Sequence, residues 1–553
     1  MEMTRRNFVA TAAAGTTLAV AATTAVAGTA LAEDAAQTAQ DVPAWLGTAP
    51  EIADSEIAST IETGLLIVGA GNAGMSAAAT AADLGLDFMI CEKNEAICET
   101  RFWFGAVDSK PQQDAGVVVD KGKLLNELTR YASGKCRQDV WNVWINESGE
   151  FIDWLSDMAG QYPSVDTVGF DHPTGGTDFY TPEIEHSYGM AIDRNQLFYA
   201  HIQELGYDVT FGYDLKRLVV DESGAVTGAI FETDEGYVRV NAENTLLTTG
   251  GYAANPEMVK ACNPVVDLCV TAPGYVPGNK GEGIKAALWA GAVKDPEGAP
   301  MIFDRGAVFP GQDAGYDEND AFASQLGGFY QFGLGSQPFM KVNRHGRRFA
   351  NESCPYDFIC QAASRQPGGV WCQVFDANMA QDVARFSTVG CSKSVQKQVE
   401  AEPDPSKCFA NEIEGGFLMQ ADTLDELADK LGFTGADKEA FLAQVDEYNG
   451  YYDAQKDGQF GKEDFRLSEI RTAPFFGCWF GGTLLTTIDG IQIDANMRAL
   501  GADSEPIPGL FAAGDCSGSL FCGNYPEYQV GCACGRSITF GRHAVRYIAG
   551  DLA

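Results

Sequence analysis

The segment Gly69-Ala70-Gly71-Asn72-Ala73-Gly74 constrains this chain more than any other. It follows an apolar run, Gly64-Leu65-Leu66-Ile67-Val68, which reads as a buried strand. An Ala-rich helical stretch to about Gly85 comes next, then a second strand from Asp87 to Cys91 that ends at Glu92. Strand, glycine loop, helix, strand and acid in that order make up the dinucleotide-binding fingerprint. Each glycine has its own task. Gly69 allows the tight turn, Gly71 lets the backbone approach a pyrophosphate, and Gly74 lets helix and strand pack closely. The helix start, which includes Ala73, offers free N–H groups and a positive dipole end to phosphates. Glu92 lies 18 residues beyond Gly74, where an acid suits ribose hydroxyls; Lys93 beside it joins the cofactor-binding set.

The loop alone does not separate NAD from FAD. Two later segments do. Thr245-Leu246-Leu247-Thr248-Thr249-Gly250-Gly251-Tyr252 is a strand ending in a glycine turn, and Pro508-Gly509-Leu510-Phe511-Ala512-Ala513-Gly514-Asp515 is another. They resemble two elements of the two-dinucleotide-fold flavoproteins, in which the terminal Asp hydrogen-bonds the ribityl or pyrophosphate region. That resemblance adds Thr249, Gly250, Gly251, Gly514 and Asp515 to the site and implies non-covalent FAD. The expected architecture is α/β: a Rossmann-like FAD-binding domain from both ends of the chain (61–311 and 479–553), interrupted by an α+β capping domain at 312–478. The cap holds an amphipathic helical region from about Thr423 to Tyr451, and by closing over the flavin it would exclude water.

The first residues read as an address. Thr4-Arg5-Arg6-Asn7-Phe8 is a twin-arginine pattern, and Ala30-Leu31-Ala32 provides a cleavage site. The expectation is a signal peptide at 1–32, a linker at 33–60, and export of the folded protein to the periplasm or the outer face of the cell membrane. The net charge of −38 repels nucleic acid and anionic membranes, so no nucleic-acid partner is expected, and it also opposes dianionic substrates. Fifteen cysteines include no C-x-x-C-H haem motif and no C-x-x-C pair. They read as buried thiols, with an iron–sulfur cluster from dispersed cysteines as the alternative. The five histidines, His172, His186, His201, His345 and His543, lack metal spacing and read as structural or surface groups; no metal site is expected.

Taken together, the Gly69 loop, Thr249-Gly250-Gly251-Tyr252, Asn279-Lys280-Gly281-Glu282-Gly283, Gly346-Arg347-Arg348-Phe349-Ala350-Asn351-Glu352, Gly509 to Asp515 and Thr539-Phe540-Gly541-Arg542 resemble the fumarate reductase/succinate dehydrogenase flavoprotein superfamily. The departures from it are informative. Tyr356 stands where fumarate reductases carry an arginine proton donor. Leu485-Thr486-Thr487-Ile488-Asp489-Gly490 lacks the carboxylate-holding histidines, and Asn524-Tyr525-Pro526-Glu527-Tyr528-Gln529 lacks the second arginine clamp. These replacements resemble the branch of 3-ketosteroid dehydrogenases and cardiac glycoside reductases. There an "NEsxPY" element, matched by Asn351 to Tyr356, carries a catalytic tyrosine, and a "YPGPG" element, partly matched by Tyr525 to Gln529 but without its glycines, helps to grip a ketone oxygen.

The resemblance implies reduction of an activated C=C bond in an unsaturated ketone, lactone or acrylate. Hydride from flavin N5 goes to the β-carbon, and charge develops on the carbonyl oxygen. Tyr525 is the expected oxygen donor and Tyr356 the expected proton donor, with Tyr528 able to replace either. Arg347 and Arg348 are expected to shape the cap. Phe102-Trp103-Phe104 fits either a flavin wall or core packing. A membrane multihaem cytochrome or quinol oxidoreductase would deliver electrons. A 3-ketosteroid dehydrogenase passing electrons to a quinone-type acceptor and a non-catalytic flavin shuttle are the alternatives.

Overall fold

The computed structural model describes residues 42–98, 102–166, 179–324 and 331–552. The signal peptide expected at 1–32, and much of the linker, lie outside them. Two compact units make up the chain, Met1–Thr48 and Ala49–Ala553. In the first, the described residues form a turn in which Leu46 N–H donates to the Pro43 carbonyl (2.9 Å).

The second unit is built on a parallel sheet. Strand β1 spans Ile57–Val68, so it begins inside the segment expected to be linker. Its outer half is largely exposed and carries no apolar period, yet it pairs from Ile57 opposite Tyr237 onward, with an irregularity between Ile57 and Ser59. Its inner end, Leu65 to Val68, is buried. Helix α1 (Asn72–Asp83) follows the glycine loop; its small residues Ala73 to Ala82 are all buried, which lets the helix lie close on the sheet. Strand β2 (Phe88–Glu92) runs parallel to β1, and β3 (Val209–Phe211) parallel to β2. On the other side of β1 lie β4 (Gly236–Leu247) and then β5 (Pro506–Ala512), both parallel to it. The order β5-β4-β1-β2-β3 joins the two ends of the chain in one sheet, and the α/β architecture with two distant contributions is as the motifs predict.

Among the described residues the second sheet has six strands: Val270–Pro273, Pro300–Val308, Met340–Val342, Trp371–Phe375, Leu418–Ala421 and Phe475–Thr487. The last is buried along its whole length and pairs with four of the others. This sheet therefore draws strands from both sides of the 312–478 segment. Helices Leu424–Lys430 and Gly435–Ala454 occupy the amphipathic region and bury Leu427, Phe441, Val445 and Tyr448 in one apolar cluster that includes Trp479. Two further helices bear on the site: α2 (Tyr356–Ala363) and α3 (Cys532–Ile548), which packs on α1. Gly541 makes that packing possible, since a Cβ there would meet the Ala73 carbonyl at 2.1 Å.

Arg348 is buried between two carboxylates, Glu352 (2.7 Å) and Asp457 (2.9 Å). Arg347 beside it is exposed. Arg348→Ala would leave buried Asp457 without its arginine partner and Glu352 with Lys462 (3.6 Å), a loss of about 3–5 kcal/mol. Chemical denaturation of the purified variant should show it as a midpoint shift at unchanged slope.

Candidate active site

The register of the parallel sheet brings the three glycine segments together. Val68 and Ala512 both lie opposite Leu247, so the loops that follow β1, β4 and β5 leave from adjacent carboxyl ends. Two glycines of the first loop are set by the protein itself. Gly69 has φ +105°, and a Cβ on Gly74 would sit 1.9 Å from the Gly69 carbonyl oxygen. Gly71 differs: a Cβ there would meet nothing within 4 Å. This open side adjoins the start of α1. There Asn72 Oδ1 is enclosed and has no hydrogen-bond partner among the described residues. A free helix N-terminus beside an open glycine suits a pyrophosphate, so Gly71, Asn72, Ala73 and Gly74 could hold that part of FAD.

Glu92 accepts from the Ala70 N–H (2.9 Å) and the Asn94 N–H (3.0 Å), which ties the acid to the loop. Lys93 pairs with Glu282 (2.8 Å) and donates to the Gly278 carbonyl. Thr249 precedes a left-handed Gly250 (φ +72°), which faces the Asn279 side chain, and Gly251 packs tightly on Thr487. Gly514 is also left-handed (φ +77°). Asp515 accepts from Thr486 Oγ (3.0 Å) and from Arg536 Nη2 (3.0 Å). Arg536 is fully buried in α3 and also donates to the Gly514 carbonyl (2.6 Å). The sequence reading missed Arg536. Its signal was a single charge within the small and apolar run Cys532 to Phe540.

Tyr356, Tyr525 and Tyr528 are all buried, at 4–6 % exposure. Tyr356 opens α2 with its ring edge-on to Phe303 (centroids 4.6 Å apart). It lines a cavity of about 20 Å³ with Asp304, Ser392, Arg466, Glu527 and Tyr528, room for about one water. Burial and then the neighbouring Tyr525 push its phenol well above the ordinary range. Burial and then Cys532 do the same for Tyr525. Both are therefore neutral O–H groups near pH 7. The Tyr528 hydroxyl donates to the Ser353 carbonyl (2.8 Å).

Two carboxyls hold the tyrosine segments. Glu527 accepts from the Tyr356 N–H (2.7 Å) and from Ser392 Oγ (2.9 Å), and Asp357 accepts from the Tyr525 N–H (3.2 Å). Burial, with Asp304 nearby, raises each to about 8. In the unfolded chain both would ionise near pH 4. The folded chain thus keeps protons that the unfolded chain releases, and stability should fall as pH rises from about 4 to 8. Glu527→Gln should flatten that slope in a series of melting curves against pH.

The described histidines are engaged by neighbouring protein groups. His186 is buried against Ser109 Oγ (2.7 Å), and burial lowers it to about 4, so it is neutral. His201, His345 and His543 pair with Asp83, Asp437 and Glu147; His172 lies outside the described residues. Among the described residues no cysteine is in a disulfide, and no group of three or more His, Cys, Asp or Glu could hold a metal. Phe104 is a core residue, with Arg194 over its ring at 4.3 Å, whereas Phe102 is exposed. Among the described residues, no helix is long and apolar enough to cross a membrane.

Comparison with known proteins agrees with this geometry. Residues 64–532 match the model of the FAD binding domain family, and the chain belongs to that family. It is 26 % identical over 501 residues to the vinyl phenol reductase of Lactiplantibacillus plantarum, covering 87 % of this chain and 96 % of that protein. It is likewise 26 % identical over 532 residues to the NADH:acrylate oxidoreductase of Vibrio harveyi, covering 83 % of this chain but only 48 % of that longer protein. Among solved structures, the 3-ketosteroid delta1-dehydrogenase from Sterolibacterium denitrificans superposes with a TM-score of 0.66 at 18 % identity, covering 89 % of this chain and all of that one. The superfamily resemblance and the FAD cofactor both stand.

Proposed function

We propose that this member of the FAD-binding family is an exported oxidoreductase that reduces a C=C bond conjugated to a carbonyl, in an unsaturated ketone, lactone or acrylate. The observation that carries the reading is the pair of buried, neutral phenols, Tyr356 and Tyr525, on neighbouring segments. The name of one relative, a vinyl phenol reductase, supports C=C reduction, and that of another, an acrylate oxidoreductase, supports a double bond conjugated to a carbonyl.

Bound FAD supplies the hydride. The protein's own groups do the rest. Tyr525 O–H donates to the carbonyl oxygen, where negative charge develops, an interaction typically worth about 3 kcal/mol. Tyr356 O–H gives its proton to the α-carbon, and a positioned acid contributes roughly 10²–10⁴-fold. A neutral phenol does both tasks without the charge a dicarboxylate would call for. The buried second sheet and its helices keep water from the site. The twin-arginine pattern supports work outside the cytoplasm, with electrons from a membrane multihaem cytochrome or quinol oxidoreductase.

The test is anaerobic oxidation of reduced viologen by the FAD-loaded protein with a panel of enones, lactones and acrylates. Substrate-dependent bleaching is expected, and no bleaching with any compound sinks the proposal. Ketosteroid-dependent dye reduction in the same preparation would instead assign the reverse reaction.

A further inference from the structure

Tyr356 and Tyr525 lie 169 residues apart, and nothing local fixes one relative to the other. Two crossed hydrogen bonds tie them directly, beside the Tyr528 O–H bond to the Ser353 carbonyl and those of Gln361 Nε2 to the Gly523 carbonyl and Asn524 Oδ1. Glu527, two residues after Tyr525, takes the backbone N–H of Tyr356, and Asp357, next to Tyr356, takes the backbone N–H of Tyr525. Each tyrosine's own segment thus carries the carboxyl that grips the other tyrosine. All four residues are buried. The Glu527 carboxyl is anchored on its other side by Ser392 Oγ. The Tyr356 N–H lies in the first turn of α2, where the helix has no acceptor of its own. Glu527 also stands in the Tyr525–Gln529 element that departs from the resembled "YPGPG" pattern, so a side chain does here what those glycines cannot.

We infer that Glu527 and Asp357 form a reciprocal clasp that positions the two tyrosine hydroxyls for one substrate, Tyr525 at its carbonyl oxygen and Tyr356 at its α-carbon. This rests on the proposed roles of Tyr356 and Tyr525. Glu527 and Asp357 are positioning residues, because they hold the backbone of the reacting groups and do not themselves touch the reacting atoms in this arrangement. The geometry has a chemical consequence. A displacement of about 1 Å in a positioned catalytic group costs on the order of 10²-fold in rate, whereas substrate affinity, spread over the whole pocket, changes little.

The experiment compares Glu527→Ala, Glu527→Asp and Glu527→Gln in the full FAD-loaded chain, by steady-state kinetics on the best substrate of the panel and by crystal structures. Glutamine keeps the acceptor oxygen at the same reach; aspartate shortens it by one methylene. The expected result is a kcat loss of about 10²-fold for Ala, a smaller loss for Asp, near-complete rescue by Gln, and KM within about threefold throughout. In the crystals, Tyr356 should move relative to Tyr525 in Ala and Asp and stay in place in Gln. Unchanged kcat and unmoved tyrosines in the Ala variant overturn the clasp, as does a Gln variant no better than Ala. If Ala does not fold, the Asp and Gln pair decides. If the wild type turns over no compound, the proposed reaction fails, and the tyrosine positions in the crystals still decide the clasp.

Discussion

Tyr356→Phe is expected to reduce kcat by roughly 10²–10⁴-fold while the protein remains yellow and fully loaded with FAD. The substitution removes one oxygen from a buried ring and leaves its edge-on contact with Phe303 intact. Tyr356 lines a small cavity, so the lost oxygen leaves the packing of the ring unchanged. What disappears is the proton donor. Tyr525→Phe should also slow turnover, by about 10²–10³-fold, through loss of the donor to the developing oxyanion. Tyr528→Phe should behave differently, because its hydroxyl is engaged by the Ser353 carbonyl. It should lower stability by about 1 kcal/mol and leave most of the turnover. Rapid-mixing measurement of flavin reoxidation by substrate separates the three, since it reports the chemical step alone. Equal, small effects from all three would remove the tyrosines from the chemistry.

The assignment of those tyrosines shows what kind of information a sequence carries. Each of the glycines 69, 71 and 74 was legible because a single residue has a local steric reason, and the structure supplies that reason at 69 and 74 in ångströms. The parallel sheet was legible because β1, β4 and β5 each end in a glycine turn, and register does the rest. The outer half of β1 was not, because Ile57 to Thr63 hold their place by backbone pairing, with exposed or half-buried side chains that leave no apolar period. The second sheet was hidden for the opposite reason: Phe475–Thr487 is buried on both faces, so it has no alternation to read. The carboxyl clasp was beyond reach altogether. Its partners are 171 and 168 residues apart, and no local pattern encodes a bond that only the folded chain creates.

The second large effect concerns FAD itself and turns on the contrast between two glycines three residues apart. Gly74→Ala places a methyl 1.9 Å from the Gly69 carbonyl oxygen and 2.7 Å from Thr248 Oγ. Backbone cannot yield there without pulling α1 off the sheet, so the variant should unfold at lower denaturant and lose FAD as a consequence. Gly71→Val meets no protein atom within 4 Å at its Cβ and sits outside the left-handed region, with φ −90°. The apo-protein should fold with nearly wild-type stability. The new side chain would instead fill the open ground beside the N–H groups of Asn72, Ala73 and Gly74. Loss of two hydrogen bonds to a charged phosphate, at about 1.5–3 kcal/mol each, weakens binding by more than about 100-fold. Isothermal titration of each apo-protein with FAD, paired with its denaturation curve, tests the contrast. A Gly71→Val protein that is stable and colourless is the expected result. One that is stable and binds FAD as tightly as wild type would move the pyrophosphate away from this loop, and with it the reason for the open side of Gly71.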